Sequence, residues 1–211
     1  PDEPVESRAR GVAIHAAFER FALAHPRELP PDAAEIFAGL YVEELRRAGM
    51  PAEGIAREQA LAREAGAWVA DLEARRRADG RAIHVEQTGR LPVLVDGVEF
   101  TLTAKADRIE ADPHGLGHIL DYKTGRAPSQ KVVDAGFSPQ LTLTAAILAH
   151  GEFQDIGRLK PGELTYLEIT GRRPAGREEV RATAGDESHE AAERALAGLR
   201  ELIARYWAPD Q

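Results

Sequence analysis

The segment Ile119 to Gly125, ILDYKTG, closes an aliphatic run on an acid, an aromatic ring and a base. The two-residue period of a strand puts Asp121 and Lys123 on one face and turns Tyr122 to the other. Asp107 stands near the end of the preceding strand pattern, LTAKADRIE, so pairing across the 108–120 loop sets a second carboxylate beside the first. Two carboxylates that close repel. A hard divalent cation relieves the repulsion by taking oxygen ligands from both, with waters and a substrate phosphate in its remaining positions. Beside it, the Lys123 ammonium can stabilise developing negative charge, orient an attacking water or give up a proton. That chemistry is metal-assisted phosphodiester hydrolysis. Glu86 is a candidate further acid, and His15 a candidate nitrogen ligand that tilts the preference toward Mn²⁺ without excluding Mg²⁺. Taken alone, an Asp-x-Lys is most often a solvated strand face and a lone helix histidine a surface one. The reading rests on joint occurrence: an acid ends one strand, an acid-x-lysine ends the next, and Gly125 breaks the chain where a site needs an open mouth.

These residues need elements to position them. The pattern predicts a helix from Ser7 to about His25, stopped by Pro26, with Val12, Phe18, Phe21 and Ala22 as its apolar residues and His15 on it. PPDAAEIFAGLYVEELRRAGM predicts a second helix, capped by Asp32, striped by Ile36, Leu40 and Leu45 and closed by Gly49. A third runs from Glu53 to Asp79 and ends at Gly80. The period then becomes alternating: AIHVEQTGRLPVLV and VEFTLTAKADRIE read as strands joined by a tight Asp96-Gly97 turn, and HILDYKT as the next strand of an antiparallel meander. Ser138 and Pro139 read as cap and first residue of a helix over QLTLTAAILAHG. GELTYLEITG and REEVRATA read as two further strands, and DESHEAAERALAGLRELIARYW as a closing helix.

The totals narrow the class. A chain of 211 residues fits one domain, the usual size being about 100 to 200 residues. It has no cysteine, which excludes disulfides, thiolate metal sites and a cysteine nucleophile, so any metal must sit on oxygen and imidazole. The apolar runs are short and no leader pattern is present, so neither a membrane span nor a signal peptide is expected and the chain reads as cytoplasmic. Opening without Met and stopping after YWAPDQ, it is expected to be a piece of a longer protein. A formal charge of −8 argues against a broad basic nucleic-acid face. Positive charge is instead expected locally, from Arg108, Lys123, Arg126 and Lys131 around the mouth.

Together, RGVAIHAAFERF, AKADRIE, ILDYKTG and SPQLTLTAAIL resemble, in order and spacing, the Gly-x-x-x-His helix, the Asp-Arg-Ile strand, the Asp-Tyr-Lys-Thr-Gly motif and the glutamine helix of the RecB-type nucleases of the PD-(D/E)xK superfamily. Within that family they are most similar to the C-terminal nuclease domain of AddB, a subunit of the bacterial AddAB helicase-nuclease. The resemblance implies an α/β fold, a restriction-endonuclease-like core of mixed sheet flanked by helices over residues 81–211, preceded by a helical segment over 1–80. It implies a Mg²⁺-dependent deoxyribonuclease, expected to be an exonuclease, with Mn²⁺ as an alternative ion. Its partners would be single-stranded DNA delivered by an AddA-type helicase during double-strand break repair and recombination. It implies His15, Asp107, Asp121 and the main-chain carbonyl of Tyr122 as metal ligands, Lys123 as the residue serving the attacking water, and Gln140 near the substrate, with Thr124 and Gly125 shaping the turn.

Three departures stand out. Thr144 replaces the family's tyrosine four residues after the glutamine, Ala104 replaces a frequent glycine, and the four cysteines that hold an iron-sulfur cluster in many AddB-type domains are absent, so no cluster forms in this segment. The alternatives are a catalytically silent nuclease-fold module, structural or DNA-binding, and a metal phosphoesterase acting on small esters. A degenerate copy would have lost one of Asp107, Asp121 or Lys123, and all three are present.

Overall fold

The computed structural model describes residues 5–170 and 173–207. Residues 1–4 and 208–211, and Gly171 at the end of the expected GELTYLEITG strand, lie outside the described residues. The chain is of mixed α/β class. In order come α1 (Val5–Ala24), α2 (Ala33–Arg47), α3 (Ala52–Arg77), β1 (Ala82–Val95), β2 (Val98–Ala111), β3 (Leu116–Lys123), α4 (Gln130–Asp134), α5 (Gln140–His150), β4 (Lys160–Ile169), β5 (Gly176–Ala182) and α6 (Asp186–Trp207). The strands form one five-stranded sheet in the order β1-β2-β3-β4-β5, flanked by helices. Among the described residues no helix is long and apolar enough to cross a membrane.

Two compact units make up the chain, and the division falls inside β1, β3, β4 and β5. The first comprises Pro1–Val85, Tyr122–Ala127 and Tyr166–Glu179. In it α1 packs on α2 and α2 on α3. The α1 core face is Ala9, Ala13, Ile14, Ala17, Phe18, Phe21 and Ala22, residues recurring every three or four positions. Val12 falls between the turns of this face and is 56% exposed, contrary to the expected stripe. On α2 the buried line is Ala33, Phe37, Tyr41 and Leu45, four residues apart, while Ile36 and Leu40 are only half-buried. The larger rings decide which face turns inward. Phe37 meets Phe18 edge-on at 4.9 Å between centroids and Phe21 at 5.8 Å. Asp32 does stand at the α2 N-cap, but its side chain makes no cap bond.

Polar residues tie the same three helices. Glu58, on α3 and 1% exposed, accepts from Arg10 Nε at 2.8 Å and from the Tyr41 hydroxyl at 3.3 Å. Burial, with the Glu58 charge beside it, pushes the Tyr41 phenol well above its ordinary value. Arg77 at the end of α3 donates to buried Glu73 at 2.7 Å and to the main-chain oxygen of His25 at 2.5 Å.

The second unit comprises Glu86–Asp121, Pro128–Thr165 and Val180–Gln211. Here α5 packs against β2 and α6. The β1 to β2 turn is as the sequence predicts: Asp96 and Gly97 take φ of 48° and 79°, the paired positive angles of a two-residue hairpin. Helix α5 begins one residue later than predicted, with Pro139 in the N-cap position in place of Ser138. The short α4 escaped the sequence pattern because five residues are too few to show a helical period.

Where α2 and α3 cross, Gly66 has no space for a side chain: a methyl group there would overlap the main-chain oxygen of Ala34. Gly39, within α2 and facing open space, has no such neighbour. Gly66→Ala is expected to lower stability by about 1–3 kcal/mol through overpacking. Gly39→Ala is expected to raise it by about 0.5–1 kcal/mol through helix propensity. Urea unfolding of both variants checks the pair, and equal shifts would contradict the packing.

Candidate metal centre

The loop between β2 and β3 fixes the site's two strands. Asp112 Oδ1 accepts the main-chain N–H groups of His114 at 2.9 Å and Leu116 at 2.8 Å, while the Asp112 N–H donates to Leu116 O at 2.9 Å. Gly115 supplies the positive φ of 83° that closes the turn. His118, 5% exposed, accepts the Glu163 N–H on Nδ1 at 3.0 Å, so its proton lies on Nε2 and donates to Asp112 Oδ2 at 3.3 Å. A side chain at Gly162 would strike the His118 ring, so that glycine is required by close approach.

The antiparallel register that follows pairs Ala111 with Gly117, Glu110 with His118, Ile109 with Ile119 and Arg108 with Leu120. Asp107 and Asp121 are each the next residue beyond the last of these pairs, so the two carboxylates stand at one level on neighbouring strands. Both are buried, at 9% and 3% exposure. Glu86, on β1, brings a carboxylate oxygen within 4.8 Å of one on Asp107. Glu86 is also held in the left-handed region, with φ of 54°, inside a strand, and it forms an ion pair with Lys105.

Strand alternation corrects one expectation. Arg108 follows Asp107 and so faces the other way: it is fully buried and bridges Glu110 at 2.8 Å. It is a core ion pair and not a cation of the mouth. Lys123 is half-buried, whereas Arg126 and Lys131 are exposed.

The end of β3 is held within the first unit. Tyr122 is 1% exposed and stacks on Phe18 at 4.1 Å, nearly parallel, with the His15 ring edge-on at 5.6 Å. His15 Nε2 donates to the main-chain oxygen of Tyr122 at 3.1 Å. Ligands at adjacent corners of an octahedron of 2.0–2.1 Å radius are about 3 Å apart, so these two atoms have the spacing for one Mg²⁺-sized ion once His15 presents Nε2 as an acceptor. Carboxylate and carbonyl oxygens suit a hard cation, and an imidazole tilts the preference toward Mn²⁺. Lys123 Nζ lies 5.6 Å from the centre of the Tyr166 ring, within cation–π range.

Beyond Lys123 the chain is tied by the Ala127 N–H, which donates to Glu168 Oε1 at 2.5 Å. Gly125 has an ordinary φ and open space where a side chain would go, so neither strain nor crowding requires glycine there. Thr124 Oγ1 would be in ordinary contact with a side chain at Gly11, at 3.6 Å. In the second unit Gln140 is the exposed first residue of α5, and Thr144 one turn on is buried, so that position points into the core.

Sequence reasoning missed Asp112, Tyr166 and Glu168. The DPHG run is a turn signal that points to Asp112. Nothing local marks Tyr166 or Glu168, which reach the site through long-range pairing.

The family model of the PD-(D/E)XK nuclease superfamily matches residues 1–211. Among curated proteins, the chain is 36% identical over 83 residues to an uncharacterized protein of Rickettsia felis, covering 39% of this chain and 10% of that one. It is 33% identical over 101 residues to the uncharacterized protein RT0391 of Rickettsia typhi, covering 47% and 12%. The chain thus spans about a tenth of the length of the curated relatives it matches. The crystal structure of SSO0001 aligns with 89% of this chain and 84% of that one, at 12% identity and a TM-score of 0.38. On the whole-length match, the chain belongs to the PD-(D/E)XK nuclease superfamily.

The Asp112 clamp makes a pH prediction. Burial opposes ionisation of Asp112, but the N–H donors of Leu116 and His114 together with His118 outweigh it and hold the carboxyl below its usual range. A depressed carboxyl contributes stability that is present above its unfolded pKa of about 4 and is lost as pH falls through the folded value. Asp112→Asn is therefore expected to be less stable than wild type at neutral pH, with the gap narrowing on acidification. Urea midpoints across a pH series measure this, and parallel curves would contradict it.

Proposed function

We propose that this chain is a metal-dependent deoxyribonuclease domain that hydrolyses phosphodiester bonds. What supports the reading is the register of β2 and β3, which continued by one pair sets Asp107 opposite Asp121, with Lys123 two residues beyond on the same strand, in a chain of this superfamily. In it, Asp107, Asp121, His15 and the Tyr122 carbonyl hold a divalent cation, Mg²⁺ or Mn²⁺. That ion supplies Lewis-acid stabilisation of the phosphate and activation of water.

The chain's own residues do the rest. Asp107 and Asp121 concentrate negative charge where the cation is needed. Tyr122, clamped between Phe18 and His15, keeps its carbonyl at fixed height. Lys123 places its ammonium beside the phosphate, where it offsets the charge that develops as water adds to phosphorus and the bridging P–O bond breaks. The face of Tyr166, 5.6 Å from the ammonium to the ring centre, helps hold that side chain in place. Gln140, exposed at the start of α5, contacts the substrate strand.

The substrate we assign is single-stranded DNA fed by a helicase of the AddA type, with exonucleolytic processing of ends in double-strand break repair. The order of the four motifs supports this, as does the formal charge of −8, which leaves the domain little affinity of its own for a polyanion. An acidic domain that cuts DNA is best served by a partner that delivers the strand.

End-labelled linear single-stranded DNA is expected to be degraded in Mg²⁺ and in Mn²⁺ and untouched in EDTA. Lys123→Ala and Asp121→Ala should each cut the rate roughly a hundredfold or more, with folding intact by circular dichroism. Cleavage that persists in both folded variants would refute the assignment.

A further inference from the structure

Lys105 lies on the same face of β2 as Asp107, two residues earlier, but nearer solvent, with its side chain 61% exposed. Its ammonium pairs with the carboxylate of Glu86, itself only 17% exposed. That carboxylate lies within 4.8 Å of one on Asp107, and the Glu86 backbone is in the left-handed region, at φ of 54°, within β1. A non-glycine residue takes that conformation at an energetic cost and keeps it where the surroundings impose it. Here two carboxylates stand close together at the inner end, with an ammonium against one of them at the outer end. In the absence of a divalent ion, Lys105 is a cation set against this charge.

Resting on the metal-dependent reading above, we propose that Lys105 is the built-in counter-cation of the Glu86 and Asp107 pair and passes to a phosphate of the DNA strand when a divalent cation takes its place. The charges argue for the exchange. Two carboxylates with one ammonium leave net negative charge, which favours cation entry and repels DNA. A divalent ion held by Asp107 offsets the charge that the ammonium offsets in its absence, and competes with it for Glu86. Lys105 is then released, on a mostly exposed four-carbon stem, two residues from Asp107 on the same strand. Metal entry and strand binding are thereby coupled: DNA finds the lysine only at a charged site, and the strand's phosphate in turn stabilises the state in which the ion is bound.

The proposal makes two readouts move in opposite directions, which loss of a merely structural ion pair would not do. Lys105→Met is expected to tighten Mg²⁺ binding by about three- to fivefold in calorimetry, the scale of an exposed ion pair, because a competing cation is gone. The same substitution in a Lys123→Ala background, where the strand is not cut, is expected to weaken binding of a fluorescent single-stranded oligonucleotide in Mg²⁺. It should also flatten the salt dependence by about one phosphate contact. Lys105→Arg should keep both affinities, and in Glu86→Gln the substitution Lys105→Met should no longer tighten metal binding. Unchanged or weaker Mg²⁺ binding in Lys105→Met, or unchanged oligonucleotide binding, would overturn the inference. Mg²⁺ binding that Asp107→Asn abolishes while Lys105→Met leaves it unaltered would overturn this inference alone. No Mg²⁺ binding by the wild type would overturn it together with the metal-dependent reading.

Discussion

The register between β2 and β3 is the constraint on which the site depends. A slip of one residue would turn Asp107 to the opposite face and bring Arg108 in its place. The register is held at the far end of the hairpin, where one side chain, Asp112, satisfies two main-chain donors and His118 braces it against the N–H of Glu163. A turn five residues from Asp107 therefore decides which face of β2 that carboxylate occupies. Alternation then sorts the charges. Arg108 and Glu110 pair in the core on one face, and Asp107 is left on the other beside Glu86.

Rigidity at the end of β3 has a different source. Tyr122 is pinned by stacking on Phe18, and Lys123 lies over Tyr166, so successive residues of one strand are fixed by aromatic contacts on opposite sides. Helix α1 earns its place in such a site: the face that buries Phe18 also presents His15 to the Tyr122 carbonyl. The following loop is secured through its backbone, by Glu168 to the Ala127 N–H, and so tolerates an unconstrained Gly125.

Much of this was legible in the sequence because periodicity is a local property. The β1 to β2 hairpin, the ends of β2 and β3 and the span of α6 all follow from alternation, helical spacing and turn residues. The misreadings come where tertiary packing chooses between neighbours of similar hydrophobicity. Val12 is apolar but falls off the face set by Ile14 and Phe18, and α2 turns Phe37 and Tyr41 inward in preference to Ile36 and Leu40. The charge of Arg108 suggests the mouth, but strand parity turns it to the face opposite Asp107, where it is fully buried. The left-handed backbone of Glu86 and the reach of Tyr166 and Glu168 have no local signature, since each is imposed by strands distant in the chain.

The central claim is that the hairpin brings Asp107 and Asp121 to bear on one cation, and a double-mutant cycle on Mg²⁺ affinity tests it most directly. If the carboxylates share an ion, Asp107→Asn and Asp121→Asn should each remove most of the binding measured by calorimetry, and combining them should cost little more. Binding that survives either single substitution, or losses that simply add, would mean that the two acids do not hold a common ion.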